Sequence, residues 1–201
     1  MLRIRILHVT LSCFLSGLSP YQGIGAAQEN ENTLESGNEH GQTFETVPSK
    51  AHGLRIEPVP AIDLGKTILL ISGDEEYRSE EALPMLAGIL ARRHGFSCEV
   101  LFAQDETGVI DPRRQDRIPG IDSLDVVDLV IVATRFRRLP AKDMRHWDAY
   151  LRSGRPVIGL RTATHAFQFP TSSRFARYSY DSAKPGYDGG FGRVVLGETW
   201  I

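Results

Sequence analysis

Pro156-Val-Ile-Gly-Leu-Arg-Thr-Ala-Thr-His-Ala-Phe-Gln-Phe169 is the stretch on which the reading of this chain turns. Its first five residues, Pro156 to Leu160, are a short apolar run of the kind a buried strand makes. The run breaks into a polar turn carrying Arg161, Thr162, Thr164 and His165. In a parallel α/β sheet, ligands bind at the carboxyl ends of the strands. A strand that ends in a guanidinium, two hydroxyls and an imidazole is therefore the expected wall of a site.

Outward from that strand the same unit repeats. Lys66 to Ile71 and Asp128 to Ala133 are nearly continuous apolar runs, as central strands covered on both faces require. Glu99 to Phe102 is a fourth candidate strand. Between them, Leu83, Leu86, Ala87, Leu90 and Ala91 share one helical face, with Gly95 placed to end the helix. The position of Pro84 leaves that helix start open between Ser79 and Leu83. Pro140 suits the first turn of a second helix, with Met144, Trp147 and Leu151 as its stripe. This alternation predicts an α/β fold, an open parallel sheet with helices on both faces.

The 201 residues suit one domain plus accessory segments. Arg3, Arg5, an apolar run from Ile6 to Leu18 and the small residues Gly25-Ala26-Ala27 predict a signal peptide over 1–27, and hence an exported protein. The apolar run is short and interrupted, so no stable membrane span is expected after cleavage. Residues 28–64, rich in Glu, Asn, Gly and Ser, are expected to be an acidic flexible linker, and 65–201 the folded domain. The chain carries a net charge of −2; 1–27 holds two arginines and 28–65 carries −5, which leaves 66–201 at +1. A near-neutral domain makes no case for nucleic acid. Cleavage would leave Cys98 as the lone cysteine, expected to be a small buried thiol.

Three loops are expected to meet at one sheet edge: Ser72 to Arg78, Thr134 to Arg138 and Arg161 to Phe167. The first has no phosphate-binding glycine pattern and carries Asp74, Glu75 and Glu76, which repel phosphate. No nucleotide, flavin or other cofactor is expected, and no metal motif is present. The aspartates between Gln104 and Gly120 sit in turn sequences, without calcium-loop spacing. Carboxylates beside Arg135, Arg137 and Arg161 suit a hydroxyl-rich ligand. The expected ligand contacts are Arg161, Thr164, Asp74, Glu75, Tyr77, Arg78, Arg135 and Arg137; His165 and Thr162 are the candidate acid–base group and hydroxyl. Gly159-Leu160-Arg161-Thr162-Ala163 occupies the position of a nucleophile elbow, with an arginine in the nucleophile's place.

Four segments together resemble the ThuA-like (trehalose-utilisation) family: Ile71 to Ala82, Thr134 to Arg137, Gly159 to Phe167 and Phe191 to Trp200. That family belongs to the class I glutamine amidotransferase-like superfamily. The resemblance implies a flavodoxin-like, three-layer sheet and a link to carbohydrate, so a small carbohydrate is the expected ligand. Arg161 at the superfamily's cysteine position argues against glutaminase chemistry. The resemblance also implies further strands and a histidine-bearing loop beyond Ile201, so the sheet is expected to be incomplete, with an unpaired edge open to a protein partner. Four readings stay open: sugar binding, a non-catalytic interaction module, a truncated remnant of a ThuA-like protein, and hydrolysis through Thr162 or Thr164.

Overall fold

A computed structural model describes residues 47–49 and 52–200. The elements are β1 (Val47–Ser49), β2 (Gly53–Ile56), β3 (Lys66–Gly73), α1 (Ser79–His94), β4 (Phe96–Phe102), β5 (Leu129–Thr134), α2 (Ala141–Arg152) and β6 (Val157–Gly159). They form a six-stranded sheet in the order β1-β2-β4-β3-β5-β6. The four strands from β4 to β6 run parallel, and β1 and β2 are antiparallel additions. This is the expected α/β, flavodoxin-like arrangement, with the sheet incomplete.

The apolar run of β3 explains the layers. Successive side chains on a strand point to opposite faces. Ile68 and Leu70 pack on one side with Leu83, Ala87 and Ala91 of α1. Leu69 and Ile71 pack on the other with Met144, Trp147 and Tyr150 of α2. Every position must then be apolar, and the run is continuous rather than alternating. The segment between β4 and β5 seals the second face with Ile118, Ile121 and Leu124. Its Asp105 carboxylate accepts from the backbone amides of Thr107 and Val109, which makes it a turn residue.

Helix α1 begins at Ser79 and accommodates Pro84 in its second turn, without the bond to Glu80 that a proline cannot donate. It ends at Gly95, whose φ of 74° is left-handed. A Cβ there would lie 1.8 Å from the Ile62 carbonyl oxygen, so both conformation and close approach demand glycine. Helix α2 is tied to the head of β6 by the Tyr150 hydroxyl, which donates to the Pro156 carbonyl at 2.7 Å.

Two expectations are corrected. Residues 53–64 are not linker. β2 pairs with β4 (Ile56 opposite Cys98), and the Leu64 amide donates to the Gly95 carbonyl at 2.9 Å. Four residues with a single buried side chain leave no periodic signal, so the strand is specified by its partner rather than by its own pattern. Second, β6 is not a buried strand: it is the outermost strand on its side of the sheet, and Ile158 is 45% exposed. The expected signal peptide at 1–27 and the first part of the linker lie outside the described residues. Among the described residues no helix is long and apolar enough to cross a membrane. Cys98 is buried in β4, and burial first, then Glu57, pushes its thiol up to about 12, so it stays protonated.

Candidate functional site

Because β3, β5 and β6 run parallel, their carboxyl ends emerge at one edge, and the three loops meet there. The Arg135 amide donates to the Gly73 carbonyl at 3.0 Å, and the Phe136 amide to the His165 carbonyl at 3.0 Å. The Arg137 amide reaches the Ala166 carbonyl at 2.6 Å. Across the same junction the Thr162 hydroxyl donates to the Asp74 carboxylate at 2.5 Å.

Each loop carries one non-glycine residue in the left-handed region: Arg78 (φ 52°), Phe136 (φ 53°) and Arg161 (φ 53°). Among the described residues no other non-glycine has a positive φ. That conformation costs an L-residue about 1–2 kcal/mol, and such strain concentrates where a site needs a side chain aimed. Arg161 thus sits on a sharp strand-to-turn elbow. The residues around it are small for a steric reason. A Cβ on Gly159 would fall 2.4 Å from Leu196 Cδ1 and 3.1 Å from the Ala163 Cβ. Arg161→Gly and Arg161→Ala both lose the side chain, but only glycine relieves the backbone. The glycine variant is expected to be the more stable by about 1 kcal/mol, read as a higher urea midpoint. Equal midpoints would mean the elbow is unstrained.

Several expected ligand contacts are framework instead. Arg137, placed at the rim by its polar neighbours in sequence, is fully buried. Its guanidinium donates to the carbonyls of Arg135 (2.7 Å), Arg114 (2.6 Å) and Pro112 (3.0 Å) and to Glu75 Oε2 (3.1 Å). Burial draws its pKa down, and Glu75 and Asp74 oppose that. Glu75 bridges Arg137 and Arg135, 2.7 Å from the latter, and lies behind the pocket. Asp74 is buried beneath it, accepting from Thr162 and from the Glu76 amide at 2.9 Å. Arg78 turns along α1 to pair with Glu81 and does not line the pocket. Thr162 is 4% exposed and its hydroxyl is committed to Asp74, not to His165. The hydroxyl that meets His165 is Thr164, at 3.3 Å from Nδ1, a pairing of chain neighbours that sequence spacing disfavours.

What remains is a cleft of 340 Å³ lined by Tyr77, Arg161 and Trp200, with Glu76, Arg135, Thr164 and His165 among its polar lining. Tyr77 and Trp200 are 47% and 49% exposed. The Arg161 guanidinium lies over the Tyr77 ring, 4.9 Å from its centroid. Trp200 rests on an aromatic nest, with its ring centroid 5.0 Å from His165, 5.4 Å from Tyr180 and 6.0 Å from Phe136. Gly192 allows this fold-back, since a Cβ there would strike the Thr164 carbonyl oxygen at 2.1 Å. Sequence reasoning missed Glu76, Phe136, Tyr180 and Trp200 as site residues. Of these only Trp200 carried a signal, an aromatic residue close after the turn glycine Gly197.

His165 is held below its ordinary value of 6.5, by burial first and by Arg135 second. The folded protein therefore binds this proton less readily than the unfolded chain. Stability from this group is complete above the unfolded value and declines as pH falls through it. At neutral pH the pocket presents a neutral imidazole, able to donate from one nitrogen and accept at the other. No protein-family model, no curated protein and no solved structure matches this chain.

Proposed function

We propose that the chain is an exported ThuA-like protein that binds a polyhydroxyl, carbohydrate-type ligand at the carboxyl edge of its sheet. The observation that carries this reading is the pair of half-exposed rings, Tyr77 and Trp200, that line one cleft together with hydrogen-bonding groups. The apolar C–H faces of a pyranose stack on such rings, while its hydroxyls need both donors and acceptors. Thr164, His165, Arg135 and Glu76 supply both. The four segments that resemble the ThuA-like family support the same ligand class. His165 and Thr164 are the groups that would move a proton if the bound sugar reacts.

Titration calorimetry of the full chain with a panel of neutral mono- and disaccharides tests this. Binding is expected in the millimolar range or tighter, weakened about tenfold by Trp200→Ala, in line with loss of an aromatic contact. No heat with any sugar at millimolar concentration would sink the reading.

A second reading rests on the exposed outer strand β6, with Ile158 on its surface. An interaction module could pair a partner's strand there. A partner that co-purifies with Arg161→Ala and His165→Ala as well as with the parent chain, but not with Ile158→Lys, would favour it.

A further inference from the structure

We infer that the ligand of this cleft is an acidic sugar, a uronate whose carboxylate is held by Arg161. The inference rests on the carbohydrate reading above. Three arginines, Arg135, Arg137 and Arg161, stand at this edge, and Arg161 alone of the three makes no ion pair among the described residues. Asp74 is engaged by Thr162 and the Glu76 amide, and Glu75 by both Arg135 and Arg137. Glu76 lies 3.4 Å from Arg135 Nε. Asp74 is thus held by neutral donors, Glu75 by two arginines and Glu76 by Arg135, whose buried Nε makes no hydrogen bond among the described residues.

Arg161 is the exception. Among the described residues its guanidinium makes no hydrogen bond and no ion pair, and it lies over the face of Tyr77. A cation–π contact uses none of the guanidinium's N–H donors in a hydrogen bond, and those donors can take a carboxylate through two parallel hydrogen bonds. The residue that presents this fork is held in the left-handed conformation at the tip of the elbow, on the wall of the cleft.

The charge of the ligand follows from the neighbours. A neutral sugar would leave the unpaired Arg161 fork facing hydroxyls, which do not match its two parallel donors as a carboxylate does. A phosphate dianion would meet a single free guanidinium and the Glu76 carboxylate, since Arg135 is already neutralised. A single carboxylate matches a single free guanidinium. The ring that bears it would lie toward Trp200, whose indole is half exposed over His165.

The test is calorimetric titration of the full chain with sodium D-glucuronate and D-galacturonate against D-glucose and D-galactose. Sodium acetate and inorganic phosphate serve as anions without a sugar ring. Each uronate is expected to bind about tenfold or more tighter than its hexose, as a charge-assisted hydrogen-bonded pair provides, and that advantage should shrink with added salt. Arg161→Gln should abolish the advantage while residual hexose binding persists. Arg161→Gly, which relieves the backbone, should abolish it too, so that loss of preference cannot be ascribed to misfolding. Arg161→Lys should retain part of it. Equal affinity for uronate and hexose overturns the acidic assignment and leaves the carbohydrate reading standing. Binding of neither overturns both. A preference that survives Arg161→Gln, or acetate or phosphate binding as tightly as the uronates, also overturns the proposal.

Discussion

Arg137→Met is expected to destabilise the domain by about 3–5 kcal/mol, as removal of one member of a buried, hydrogen-bonded charge pair does. The guanidinium is fully buried and joins four acceptors from three segments: Glu75 after β3, the Pro112 and Arg114 carbonyls from the excursion after β4, and the Arg135 carbonyl after β5. Methionine fills much of the volume but donates nothing. Three carbonyls would be left without this donor, and Glu75 would lose its innermost partner. For a domain of this size the loss corresponds to a fall in Tm of about 10 °C. Urea unfolding should show a lower midpoint at an unchanged slope. If Arg137→Met unfolds within about 1 kcal/mol of the parent, Arg137 is not the clasp of these loops, and the rim position expected from sequence regains its standing.

Thr162→Val should cost about 2–3 kcal/mol, since it removes a buried hydrogen bond to a charged group without changing shape. Thr162 Oγ1 donates at 2.5 Å to Asp74 Oδ2, and that carboxylate also holds the Glu76 amide, next to Tyr77. The variant should therefore lose ligand affinity along with stability, whereas Thr162→Ser should retain both. A nucleophilic Thr162 makes the opposite forecast: the valine variant would be stable, bind normally and turn nothing over. Thermal melts and sugar titrations on the two variants separate these outcomes.

The layered fold was legible because its signals are local. In β3 and β5 nearly every side chain meets a helix-covered face, so the apolar runs admit few alternatives. The meeting of the three loops follows from parallel strands alone. The site was only partly legible, because charge in sequence does not reveal where carbonyls converge. Arg135, Arg137 and Arg138 look alike in a row. Yet Arg137 is buried by a segment more than twenty residues earlier, Arg135 is matched by Glu75, and Arg138 stays exposed. Trp200 lies far along the chain from Tyr77, and only the close packing of Gly192 against Thr164 brings it to the same cleft. β2 was missed for a related reason: it is a strand because β4 offers it an edge.

The placement of the two tryptophans gives the molecule a pair of optical reporters. Trp147 is 1% exposed, packed edge-on against Phe167 and Phe191 between α2 and the sheet. Trp200 is the chain's one other tryptophan, and its indole opens on the cleft. Emission from Trp147 should be blue and shielded from iodide, and should change only when the core melts. Trp200 should emit to the red and be quenched by iodide until a ligand covers it. A single fluorescence titration can thus separate occupancy of the cleft from loss of the fold.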